Sequence, residues 1–510
     1  MLMLLNNTKP IQIYSANDDL KEKVTEYYWN AIDEKKKSKN KLINYLDTHL
    51  DKYKYLLHYI YFMTVVKKLK LCEDYIPISN HKFEELFGRR YYYSIMRFLN
   101  KYYIEHDDIY FFDKDGKNSG KCRGYRFKKE FYFNTSFFQD MLINEKFENK
   151  LRNNRAKSFS RLDNITILIE NNLQMLSIHF DEALDSVVRK SEADSLVLLE
   201  RYPNQLSLTS YTAHGKSFVD IRPNIESKDW EIIKTVSAFN KDKNNKKKKK
   251  LSPHLRFIKR LMDDVISFKS SISSRIASIN RVNNKEQSAI RPIAYNRVHT
   301  NLTNMASELR PYLYLEQDPN IELVSLDVSN SQPFVLIKII LDFIESQGYF
   351  IDSTTQLYID LVSNGKFYYH MKSILNSTAC DKIFKQQMFG RIFYDEHRNC
   401  IRTKEWKVFC ENFPIVAQAI EEKKKNGYEK LSLEMQAIEA QINIDGVLRE
   451  LYHKYPDTFF NHIHDSIIFP SGFETEVKAL MESHYKSVVG YIPNIKDPVK
   501  LNDINLSMVA

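Results

Sequence analysis

The chain has 510 residues, 43% of them hydrophobic, and a formal net charge of +10. That apolar content excludes a disordered chain and supports roughly two to four packed domains. The basic balance suits a polyanionic partner. The five cysteines, at positions 72, 122, 380, 400 and 410, form no Cys-x-x-Cys pair, which argues against a disulfide framework and for a reducing cytoplasm. The first residues, MLMLLNNTKPIQIY, lack the basic start of a secretory signal. The most apolar run, 336–344, is interrupted by Lys338 and Asp342, so it is not a membrane span.

Residues 20–70 read as helices with a continuous apolar face. In 76–128 the pattern is a short helix opened by Ser79 or Asn80, then a longer helix, YYYSIMRFLNKYYI. Two strand-like runs follow around the turn DGKNSGKCRG. Helix, turn, helix and basic hairpin resemble a winged-helix domain, which implies phosphate contacts from Arg89, Arg90, Arg97, Lys117, Lys121 and Arg123. The expected layout is a helical and winged-helix-like region over 1–135 and a mixed α/β accessory region over 136–240. A lysine-rich linker follows at 241–250, KDKNNKKKKK. No phosphate loop, nucleophile elbow or zinc spacing occurs in the accessory region.

From 251 the chain turns helical, and the chemistry-bearing residues follow. At 321–336, IELVSLDVSNSQPFVL, an apolar strand delivers Asp327 into a polar turn. Alone, Asp327 reads as a cap on a Pro-led helix. At 462–469, HIHDSIIF, Asp465 stands at the bend of an apolar hairpin. Two strand-borne carboxylates can converge in a sheet and hold two cations about 4 Å apart, a geometry for in-line phosphoryl transfer. Between them, Lys385, Phe389 and Phe393 recur at a spacing of four and share one helix face.

The order DVSNSQ at 327–332, KQQMFGRIF at 385–393 and HDS at 464–466 resembles motifs A, B and C of the family A nucleic-acid polymerases, the DNA polymerase I-like and phage-type single-subunit enzymes. The resemblance covers about residues 255–510. It implies an α+β right-hand fold of palm, fingers and thumb, with 251–320 as thumb and start of the palm and 321–510 as palm and reduced fingers. It implies two Mg²⁺ ions, replaceable by Mn²⁺, on Asp327, Asp465 and the Val328 carbonyl. Lys385 would neutralise the triphosphate, and Phe389 and Phe393 would stack on the nascent base pair. Gln332 stands where the family's DNA polymerases carry a Glu that walls off the ribose 2′ position. Asp381 stands where the family has an Arg, with Lys382 or Arg391 as a substitute nucleotide contact. Arg297, Thr300, Asn304, Gln436 and His464 would contact primer and template.

The function implied is template-directed nucleotidyl transfer on a DNA primer-template with nucleoside triphosphates. A DNA polymerase without proofreading is the first reading, serving a mobile element, phage or plasmid. An RNA polymerase or primase stays open through Ser466 and the non-Glu gate. A catalytically dead initiator or DNA-binding scaffold stays open through Gln332 and Asp381, and template-independent tailing is a third reading.

Overall fold

The protein is described by a computed structural model covering residues 12–16, 19–32, 37–66, 75–111, 122–129, 131, 137–159, 163–241, 248–292, 296–425 and 427–505. It is of mixed α+β character with several small sheets. Packing divides the chain into two compact units, one of 1–160 and 180–280, the other of 161–179 and 281–510.

In the first unit, helix α1 (Lys39–Val66) precedes strand β1 (Ile76–Ile78), helices α2 (Asn80–Phe87) and α3 (Arg89–Tyr102), and strands β2 (Ile104–Phe111) and β3 (Cys122–Phe127). The three strands form one antiparallel sheet with β3 in the middle. Gly88, at φ 84°, makes the sharp bend between α2 and α3, a backbone region that glycine occupies without a Cβ penalty. Helix α3 buries Tyr92, Ile95, Met96, Phe98 and Leu99 and leaves Arg89, Arg90, Tyr93, Arg97 and Lys101 exposed. This is the expected helix, turn, helix and hairpin order. The turn residues 112–121, with Lys117 and Lys121, lie outside the described residues.

Helix α4 (Asn164–Leu173) and strand β4 (Leu176–Ile178) belong to the second unit, because β4 pairs with 313–315. The chain then returns to the first unit with α5 (Phe180–Arg201), the hairpin β5 (Leu206–Ala213) and β6 (Lys216–Pro223), α6 (Ser227–Lys241) and most of α7 (Pro253–Asn283). Positions 241–250 fall within the range of the first unit. At the ends of this stretch, Asn240 Nδ2 donates to the Lys249 carbonyl at 2.9 Å and Asn240 Oδ1 accepts from the Lys249 amide at 2.8 Å.

The second unit is built on a four-stranded antiparallel sheet. Strand β7 (Leu323–Asp327) lies between β9 (Ser466–Pro470) and the short β10 (Val499–Lys500), and β8 (Asn461–Ile463) is the far edge, paired to β9. A 3₁₀ turn at Leu501–Asn505 follows β10. Helix α8 (Ser331–Gln347) is apolar nearly all round and sits in the core, as such a helix must. It packs on helices Ser353–Ser363, Pro414–Lys424, Glu429–Ala440 and Glu474–Val489. Its N-cap is Asn330, held at φ 56°, so Asp327 is not the cap; it is the last residue of β7.

Candidate active site

The sheet brings the two acids together. Asp327 lies directly opposite Ser466, and Ile463 also faces Ser466, so His464 and Asp465 form a two-residue turn beside the end of β7. The turn is held by Ser466, whose hydroxyl donates to the Ile463 carbonyl at 2.9 Å. His464 adopts φ 58°, a left-handed backbone uncommon outside glycine and concentrated at functional sites. Under the turn, His462 is buried and its Nε2 lies 3.2 Å from the Val298 carbonyl, which ties the hairpin to the 297–304 segment. Burial holds the His462 imidazolium down to about 4.

Charge is concentrated around this turn. Asp465 is half-buried, and its carboxyl is pushed well above the usual range, first by burial and then by Asp327 and Glu439, with Lys496 opposing. Glu439 is almost fully buried; it accepts from the Ser331 hydroxyl at 2.7 Å and pairs with Arg297 Nη2 at 3.0 Å. Asp327 forms an ion pair with Lys496 Nζ. Lys496 is held there by backbone: its amide donates to the Asp327 carbonyl at 2.9 Å, and Ser329 N donates to the Asn494 carbonyl at 2.9 Å. These two bonds flank the Val328–Ile495 bridge, so the Val328 carbonyl is not one of its acceptors. Behind the turn, Gly365 at φ 71° presses on Ser329; a Cβ there would come within 2.9 Å of Ser329 Cβ. His464 is solvent-exposed at the rim, yet surrounding protein mass, Arg297, Arg310 and His299 disfavour its charged form, lowering it to about 4.

Helix Asp381–Met388 is continued by the π-helical turn Phe389–Tyr394, which reaches Gln332 through Tyr394. Lys385 is exposed, with Nζ 5.8 Å above the Tyr368 ring. The π turn inserts a residue into the helical register. Phe393, expected beside Phe389 on the open face, is consequently turned into the core and fully buried. Tyr394 takes its place, stacked on Phe389 with centroids 4.8 Å apart and 24° between planes. The buried Lys424 anchors this turn, donating to the Ile392 carbonyl at 2.9 Å and the Asp395 carbonyl at 3.0 Å. The Tyr394 hydroxyl donates to Gln332 Oε1 at 3.4 Å and accepts from Gln436 Nε2 at 3.5 Å. Gln332 is buried, and its Nε2 has no hydrogen-bond partner among the described residues.

Other expected residues serve local structure. Thr300 is buried and caps Asn301–Asn304 in a reciprocal capping box with Thr303. Asn304 remains exposed while its amide donates to the Thr300 carbonyl at 2.8 Å. Arg391 pairs with Glu405, and Asp381 with Lys372 at 2.6 Å. In the first unit, Arg89, Arg90 and Arg97 are exposed on α3, and Arg123 is half-buried on β3. Tyr91 packs instead on α1, stacked on His49 at 4.1 Å.

Tyr394 directly follows the motif residue Phe393, whereas Glu439, Lys496 and Tyr368 are site residues that motif reading does not select. Only Glu439 carries a local signal, three residues after Gln436 and so on the same helix face. Among the described residues no cluster of three or more His, Cys, Asp or Glu could hold a metal ion. Two carboxylates suffice for a hard cation that keeps waters and takes phosphate oxygens. Asp327 and Asp465 are the carboxylates at this turn that could serve such a cation.

Among the described residues, no helix is long and apolar enough to cross a membrane. No protein-family model matches the chain, and no curated protein matches it.

Proposed function

We propose that this protein is a template-directed nucleotidyltransferase of family A type, a DNA polymerase without proofreading. The observation that carries the reading is the antiparallel pairing of Asp327 with Ser466, which sets Asp327 and Asp465 side by side at the end of a sheet. Asp327 and Asp465 would hold Mg²⁺, which supplies Lewis-acid activation of the primer hydroxyl and charge compensation at the phosphates. Lys385, exposed above the Tyr368 ring, meets the triphosphate and offsets the charge that grows on the pyrophosphate leaving group. Phe389 and Tyr394 form the stacking wall for the new base pair, and the Gln332–Tyr394 hydrogen bond closes the space beside the sugar, favouring deoxynucleotides. Arg297 acts through Glu439 as a brace for Ser331 at the start of α8. In the first unit, the exposed Arg90, Tyr93, Arg97 and Lys101 recur along one face of α3 and suit a DNA backbone.

The test is primer extension on a DNA template with all eight triphosphates. The expected result is Mg²⁺-dependent extension with deoxynucleotides, lost in Asp327→Ala and in Asp465→Ala. The Lys496–Asp327 pair and the Asp381–Lys372 pair favour a second reading, a DNA-binding scaffold without catalysis. A gel shift with the primer-template and no extension in Mg²⁺ or Mn²⁺ would establish that one instead.

A further inference from the structure

We infer that Lys496 is the internal counter-ion of Asp327 and that divalent cations enter the site by displacing it. The inference rests on the nucleotidyl-transfer reading and adds to it a residue that sets cation affinity. The Lys496 main chain is fixed beside β7: its amide bonds the Asp327 carbonyl at 2.9 Å, and the Val328–Ile495 bridge lies between the two bonds of that contact. Its side chain is long and half open to solvent, at 52% exposure against 35% for Asp327, and Nζ meets Oδ2. A pair so placed is reachable by a hydrated cation from outside.

The neighbouring charges give the ammonium its purpose. Asp327 and Asp465 stand one register position apart, with the buried Glu439 also acting on Asp465. Arg297 engages Glu439. Lys496 is the cation that engages Asp327. It offsets the repulsion between the acids while no metal is bound. A divalent ion does the same with twice the charge, and the ammonium then swings toward water on its flexible stem. Bound cation and Lys496 compete for one carboxylate oxygen, so removing the lysine tightens cation binding.

Mn²⁺ binding to the full chain, read from the electron paramagnetic resonance signal of free Mn²⁺, tests this without turnover. Lys496→Met should bind Mn²⁺ about tenfold more tightly than the wild type, from loss of an exposed ion pair and of repulsion between the cations. Lys496→Arg keeps the charge and should bind as the wild type does. Equal or weaker binding by Lys496→Met overturns the role given to Lys496, as does tight binding by Lys496→Arg. Failure of both wild type and Lys496→Met to bind Mn²⁺ removes the cation site and the nucleotidyl-transfer reading with it. Matching thermal melts of the three proteins exclude a folding defect.

Discussion

Replacing Arg297 by Met removes the cation from an ion pair in which Glu439 is 3% and Arg297 19% exposed at the side chain. Glu439 would keep the Ser331 hydroxyl as a donor but would stay buried, negative and close to Asp465. Breaking a buried pair by deleting one partner costs about 3–5 kcal/mol, and the partial exposure of the guanidinium places this case near the lower end, about 3 kcal/mol. With a urea m-value of about 3 kcal/mol/M for a unit of this size, the midpoint should fall by about 1 M. The assay is urea unfolding followed by fluorescence of the buried Trp406, with Trp29 and Trp230 replaced by Phe so that only the second unit is seen. In the same background Arg297→Met with Glu439→Gln removes the stranded charge and should recover at least half of the loss. A shift under about 0.3 M for Arg297→Met, or a double variant no better than the single one, would refute the coupling.

The folded His462 takes a proton only near pH 4, whereas the free imidazole does so near 6.5, so the folded state binds fewer protons between these values. Stability is therefore complete above about pH 6.5 and is lost as pH falls toward 4, by about 3 kcal/mol, and His462→Gln should flatten that profile in urea titrations. Phe393→Ala should destabilise the second unit by about 3–5 kcal/mol. Tyr394→Ala should leave the urea midpoint nearly unchanged and raise the KM for the incoming triphosphate; the reverse pattern would mean that the π turn is absent. Arg90→Ala with Arg97→Ala should weaken binding to DNA of any sequence and reduce the salt slope by about 2 in gel shifts at increasing ionic strength.

The strands carrying Asp327 and Asp465 were legible because apolar runs bounded by polar turns have few other places to go. The position of the second aromatic was not. Equal spacing of Lys385, Phe389 and Phe393 assumes an unbroken α-helix. The chain instead makes a π turn, whose carbonyls are satisfied by Lys424 from a helix 30 residues further on. Composition marked 241–250 as a linker, but the division into compact units falls elsewhere, because long-range packing and not local charge sets it.

Local pattern by itself determined the strand that carries Asp327 and the hairpin bend that carries Asp465, because periodicity and turn chemistry act over a few residues. Tertiary structure alone decided the partners: Glu439 against Arg297 and Lys496 against Asp327 are set by antiparallel pairing and helix packing across long stretches of chain. Electrostatic energy depends on separation in space, and no spacing along the sequence encodes it.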